Sequence, residues 1–412
     1  MSGTLPTAPE RSPVTELASV NLADPIVHAE HDLAPMWERL RAREPVARHD
    51  HVPGQQGFWV VSRHADVMSV YRQPDFFGST EGNVMDTLLH GGDSSSGRML
   101  AVSDGEQHRG MRRTVQHGFS AEVLDQLGHS IRAATGKLLA QAVERGSCDF
   151  AKDVAAHIPI AAICELLGVP AADSAYIMGL SNSALGSDAP GQTQRDAQLA
   201  QSEILVYFAQ HARKLRGSPG NDLVSMLTTS EVDGRPVPDD VIVFNCYSLV
   251  LGGDETTRLS MVGGLLALIE HPEQWQRFKN GDIQVDRLVE EVMRWTTPAI
   301  HVGRTALRDT VLGGRKIAEG DVVTLWNSSA NVDEEVFTDP TAFDCSRWPN
   351  RHVSFGFGPH FCVGAQLGRL ELEALFSAVR VEVSRAELSG SVGRFYSNFL
   401  SGISSLPIVL HR

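Results

Sequence analysis

Phe355-Gly-Phe-Gly-Pro-His-Phe-Cys-Val-Gly364 runs without a break into the helical pattern Ala365-Gln-Leu-Gly-Arg-Leu-Glu-Leu-Glu-Ala-Leu375. The stretch sets one cysteine, Cys362, at the start of a helix behind a loop rich in glycine and aromatic residues. A helix start offers unpaired N–H groups and the positive end of the dipole, which stabilise a charged sulfur and lower its proton affinity. That chemistry suits an anionic metal ligand. One sulfur with no second cysteine nearby cannot close a zinc or iron–sulfur site, whereas haem iron takes a single strong axial ligand from the protein. Cysteine-ligated haem is therefore the first hypothesis. Gly356 and Gly358 are expected to let the backbone approach a flat ligand, with amides directed at the sulfur tuning its electron donation. Cys148, Cys164, Cys246 and Cys345 read as small buried hydrophobes.

The bulk properties are compatible with this. Five scattered cysteines in 412 residues argue against a disulfide framework and suit a reducing interior. There is no run of about eighteen apolar residues to cross a bilayer. Met1 to Arg11 is rich in Ser, Thr and Pro and lacks the apolar centre of a signal peptide, so a cytoplasmic protein is expected, with no membrane association. A hydrophobic content of 42% with no linker or repeat points to one large globular unit. Residues 1–23 are expected to form a disordered or extended tail, and residues 24–412 a single catalytic domain. A net charge of −14 makes nucleic acid an improbable partner. Arg109, Arg112 and Arg113 form one basic cluster that suits an acidic protein partner.

Helical periodicity dominates. It covers Leu33 to Arg41, Glu106 to Phe119, Ala121 to Arg145, Val154 to Leu167, Ala171 to Leu185, Arg195 to Arg216 and Val241 to Glu270. Strands are expected near Val46, at Phe58 to Ser62, at Thr310 to Ile317, at Asp321 to Trp326, at Gly393 to Leu400 and at Pro407 to Leu410. Val232 to Val237 carries a hairpin turn signal. Gln73 to Asp104 is irregular and long enough to be an active-site loop, in which Leu88, Leu89 and Met99 are candidates to face a substrate.

Val250-Leu-Gly-Gly-Asp-Glu-Thr-Thr257 places two glycines inside an apolar helix at a cost of about 1 kcal/mol each. They let a flat ligand approach, and Thr256 can pull a carbonyl from the helical ladder and widen the helix locally. Glu255 beside Thr256 is an acid–alcohol pair of the kind that relays protons through water. Glu291 and Arg294 are spaced to pair on one helix face. His108 and Arg112, four apart, share a face as well.

Together these residues resemble the cytochrome P-450 monooxygenases. The family's Phe-x-x-Gly-x-x-x-Cys-x-Gly loop is met by Phe355, Gly358, Cys362 and Gly364, and its oxygen-activation motif by Gly252, Gly253, Glu255 and Thr256. Its Glu-x-x-Arg element is met by Glu291 and Arg294, with Arg347 as the later arginine that bonds the same glutamate. The resemblance implies Cys362 as axial ligand of haem b, with Phe355 and Gly364 shaping the loop. It implies His108, Arg112, Arg304 and His360 as partners of the haem propionates, which need cations when buried. It also implies Ala299, Ile300 and His301 in the distal pocket, with Leu88, Leu89, Ala184, Leu249, Gly252, Phe399 and Leu400 as further lining candidates. Asp254 departs from the histidine or apolar residue common at its place, and Gly110 is less usual inside the His-x-x-x-Arg element.

The implied fold is mainly α: a triangular helical domain with a small β-rich region, and haem between the long helix and the helix after the cysteine loop. The implied reaction inserts one atom of dioxygen into a small organic substrate by hydroxylation or epoxidation, in secondary-metabolite biosynthesis. Electrons would come from NAD(P)H through a separate ferredoxin or flavodoxin and its reductase, and the substrate is either free or tethered to a carrier protein. Two rivals are a haem-thiolate enzyme of peroxide-driven oxidation or oxidative coupling, and a non-catalytic haem or recruitment module. An intact Glu255–Thr256 pair argues against both.

Overall fold

A helix that is apolar all round has to be buried, and Asp239–Glu270 is such a helix. Asp239 and Asp240 in its first turn suit the positive dipole end, and Ile242, Cys246, Val250, Leu259, Met261, Val262, Leu265 and Leu268 along it are buried. The computed structural model describes residues 11–50, 56–185, 194–232 and 234–412. In it this central helix packs against His157–Leu166, Gln194–Gly217, Val285–Thr296 and Ala365–Glu382. The last of these also lies along Ala121–Arg145, which starts at the Ser120 cap and stops at Gly146 in the left-handed region.

The largest sheet has five strands in the order Val46–His49, Phe58–Val61, Val322–Leu325, Val302–Ala306, Phe77–Gly78. Val322–Leu325 runs parallel to Phe58–Val61 and antiparallel to Val302–Ala306. Smaller sheets join Ser147–Asp149, Arg385–Leu388 and Pro407–His411, and pair Gly393–Arg394 with Ile403–Ser405. The mainly α expectation with a small β-rich region describes this architecture.

Several local expectations change. The N-terminal tail was expected to reach residue 23, but Val14 and Leu22 are buried with Met36, Trp37 and Phe58, so the packed chain begins well before residue 24. Residues 1–10 lie outside the described residues. Within Gln73 to Asp104 the chain forms Phe77–Gly78 and a five-residue helix, Met85–Leu89, too short to leave a periodic signal. Gly393 to Leu400 is strand only at Gly393–Arg394, while Leu400 makes an isolated bridge to Ala299. Leu223–Thr229 and Pro272–Lys279 are helices that periodicity missed; the first is capped by Asp222, whose side chain accepts the Ser225 N–H. The hairpin forms as Glu231–Val232 with Arg235–Pro236. It also accounts for Gly110, where a Cβ would stand 2.9 Å from the Val232 side chain. A glycine in the helix Gly105–His117 lets the hairpin lie directly on it.

Candidate functional site

Cys362 precedes the helix Ala365–Glu382 by three residues, in a turn where its N–H donates to the carbonyl of Phe355 at 2.9 Å. Gly356 and Gly358 both have positive φ, which favours glycine. At Gly358 a Cβ would meet the Tyr71 carbonyl at 2.6 Å. The turn and the backbone packing therefore each require glycine at this position. The cysteine is free, and part of its surface is exposed. Contrary to the expected lowering of its proton affinity, desolvation pushes the Cys362 thiol up, and a hydrogen bond from the Gly364 backbone with the charges of Arg112 and Arg369 only partly opposes this. Coordination to a metal cation would reverse the balance, since a coordinated thiol is deprotonated outright.

On the central helix the two glycines have different uses. A Cβ on Gly252 would meet nothing within 4 Å, so open space borders the helix there, whereas one on Gly253 would lie 3.3 Å from Ile163. Gly253 thus serves helix packing. The Thr256 hydroxyl donates to the Gly252 carbonyl at 2.8 Å. The expected widening is absent, and Asp239–Glu270 is continuous α-helix, because this hydroxyl adds a bond at the carbonyl without breaking the ladder.

Glu255 is fully buried and faces Arg258, whose Nε lies 3.0 Å from Oε1. Arg258 was not anticipated, although its i, i+3 spacing was visible. Asp254 is buried too, and desolvation pushes its carboxyl up to about 6 against the opposing effects of Ser181 and Arg258. Glu371, reaching in from Ala365–Glu382, is raised well above the usual range by burial and by Asp254, with Thr257 opposing.

The four proposed cationic partners converge from three segments. The rings of His108 and His360 are 4.2 Å apart, and Arg304 and Arg112 both act on His360. Desolvation, followed by His360 and Arg112, holds His108 down at about 4. Its Nε2 is buried without a hydrogen-bond partner. Arg304 is buried over the ring of Tyr71, with its guanidinium bonded to the Gly303 carbonyl at 2.7 Å. An unanticipated member is Asp104. One of its oxygens accepts the Ser79 and Thr80 N–H groups and the Thr80 hydroxyl, and the other faces His360 Nε2 at 3.2 Å. A free thiol, a buried arginine, a half-buried one and an orphaned imidazole nitrogen form a donor set that fits a haem with two carboxylates.

Glu291 is the hub of a buried network. Arg294 donates to both its oxygens at 2.8 and 2.7 Å, Arg347 Nε at 3.1 Å, Asn350 at 3.0 Å and the Asp344 N–H at 2.9 Å. Other guanidinium N–H groups of Arg294 reach the carbonyls of Asn331, Pro340 and Ala342. The long carbonyl list explains why this charge is tolerated in the interior.

The proposed pocket residues fall into three groups. Leu88 and Leu89 pack with Met85, Ile300 and Trp326. Ala299, Phe399 and Leu400 pack with Leu259, and the Ile300 N–H donates to the Phe399 carbonyl at 3.0 Å. Ala184 and Leu249 belong to the large helical core. His301 is buried between Trp326 and Phe399 and accepts the Met85 N–H at Nε2, which leaves the ring proton on Nδ1.

Comparison with known proteins follows the same lines. The Cytochrome P450 family profile matches residues 284–379. Cytochrome P450 NovI of Streptomyces niveus is 44% identical over 402 residues, covering 98% of each chain. A steroid C26-monooxygenase of Mycobacterium bovis is 32% identical over 93% of this chain and 90% of its own. Among solved structures, P450 OxyD, described as involved in the biosynthesis of vancomycin-type antibiotics, superposes with a TM-score of 0.87 at 33% identity, covering 95% of this chain and 99% of that one.

Proposed function

The chain belongs to the cytochrome P450 family and is a haem-thiolate monooxygenase using haem b and electrons from NAD(P)H, and on that premise we propose that it hydroxylates a small organic intermediate of secondary metabolism. The family generally draws its electrons from separate ferredoxin and reductase proteins. The observation that carries the site assignment is the convergence of His108, Arg112, Arg304 and His360 on one another, with Arg112 also acting on the free thiol of Cys362. Likeness to an enzyme of antibiotic biosynthesis supports the choice of substrate class.

In this reading Cys362 holds the haem iron, with Phe355 and Gly364 shaping its loop, and the four cationic residues hold the propionates. Bound there, the haem would supply the activation of dioxygen, and Cys362 would donate electron density to it as a thiolate. Thr256, whose own proton is bonded to the Gly252 carbonyl, presents its hydroxyl oxygen as an acceptor at the edge of the open space beside Gly252. Glu255 supplies a fixed negative charge behind it, held in position by Arg258. Glu291, Arg294 and Arg347 keep the segment before the cysteine loop in place. Ala299, Ile300, Phe399, Leu400, Leu88, Leu89, Leu249 and Ala184 are assigned to the surroundings of the substrate, with His301, which has no exposed surface, packed behind them.

An acidic electron-transfer protein, ferredoxin or flavodoxin, docks on the face carrying Arg109 and Arg113, both exposed. The substrate is taken free or carrier-tethered, in the cytoplasm. Among the described residues no helix is long and apolar enough to cross a membrane. The deciding experiment supplies NAD(P)H, ferredoxin and its reductase under labelled dioxygen with extracts of the producing cell. One labelled oxygen in a product is expected, and turnover with peroxide alone but none with the electron donors would overturn the reading.

A further inference from the structure

Glu290 and Glu291 are neighbours on Val285–Thr296, so they leave the helix about 100° apart and reach different targets. Glu291 serves Arg294 and Arg347. Glu290 instead accepts two bonds from Arg369, at 2.6 Å from Nε and 3.0 Å from Nη2, and stands 3.1 Å from His352 Nε2. Burial alone would raise its carboxyl, but His352 and Arg369 win and hold it at about 2. The forked geometry locks the guanidinium plane. That plane lies over the ring of Phe355, 4.5 Å from its centre, and the ring of His352 is 5.9 Å away. Phe355 is the residue whose carbonyl accepts the Cys362 N–H. The charge of Arg369 also acts on the sulfur itself.

We propose that Glu290 and Arg369 are positioning residues that clamp Phe355 against the cysteine loop and set, by their opposed charges, the reduction potential of the haem-thiolate centre. The inference rests on the haem-thiolate reading. One-electron reduction adds a negative charge to the centre, so a nearby cation favours the reduced form and a nearby carboxylate opposes it. The two side chains are about four-fifths buried, which limits but does not remove screening by solvent. Arg369 lies on the helix that follows Cys362 and Glu290 on a helix 79 residues away from it in sequence, so the pair forms only when the two helices cross correctly.

The test is a spectroelectrochemical titration of haem-loaded wild type, Glu290→Gln, Arg369→Gln and Arg369→Lys, each checked for the thiolate signature of its reduced carbon monoxide complex. Arg369→Gln should lower the midpoint and Glu290→Gln should raise it, each by up to about a tenfold change in the ferrous-to-ferric ratio, about 59 mV for a one-electron couple. Arg369→Lys keeps the charge and should lie nearer wild type than Arg369→Gln. A purely structural pair would move both variants in the same direction or neither, and either result overturns the proposal. If Arg369→Gln fails to retain haem, Glu290→Gln still reports the sign, and a midpoint in it that is unchanged or lowered overturns the proposal. Absence of the thiolate signature in wild type would sink the haem-thiolate reading instead.

Discussion

Arg258 closes on Glu255 one helical turn away, its Nε 3.0 Å from Oε1, with neither side chain more than 3% exposed. The acid placed next to Thr256 is therefore held rigidly inside the protein instead of swinging to solvent. Breaking a buried pair by removing one partner costs about 3–5 kcal/mol. Arg258→Gln is expected to lose stability on that scale in thermal unfolding, and Glu255→Gln in the same chain should recover part of it. A double variant no more stable than Arg258→Gln would show that the two residues do not act as a pair.

Thr256→Ala removes a hydroxyl already bonded to the Gly252 carbonyl, so the helix should tolerate it. Haem content and substrate binding are expected to persist while less product forms per NAD(P)H and more peroxide appears. General acid–base groups contribute about 10²–10⁴-fold, so the loss should be easily measured. Wild-type coupling in this variant would remove Thr256 from proton delivery.

Cys362→Ala should abolish the red-shifted Soret band of the reduced carbon monoxide complex. A band of that kind surviving in the variant would place the axial ligand elsewhere.

Arg294→Ala and Glu291→Ala each strip a fully buried network of one charge. Both are expected to yield insoluble or haem-free protein, with about 3–5 kcal/mol lost where unfolding can be measured. Unchanged melting and full haem content would contradict the structural role.

Burial raises Asp254 to about 6, so the native protein binds this proton more tightly than the unfolded chain does. The resulting stabilisation is complete below the ordinary carboxylate range and is lost as pH rises through about 6. Asp254→Asn lacks this dependence, so its melting temperature should gain on wild type between pH 5 and pH 7, by an amount equivalent to about 1 kcal/mol. A difference that does not change with pH would mean that Asp254 is ionised throughout.

What could be read directly was whatever depends on near neighbours in sequence. Ala121–Arg145 matched its periodic span end to end, and the central helix began only two residues early, because cap and periodicity are local. Cys362 with its loop, and Glu255 with Thr256, carry their chemistry within ten residues of chain. Arg258 stood in the same helix as Glu255, but its burial comes from the helices packed around it. Tertiary structure alone decided why Gly110 and Gly358 are glycines, since the atoms they avoid belong to Val232 and Tyr71. It alone joined Asp104 to His360 and Glu290 to Arg369. Periodicity records which face of a helix is apolar. It holds no information on where that helix crosses another, and the crossings bring distant charges within hydrogen-bond reach.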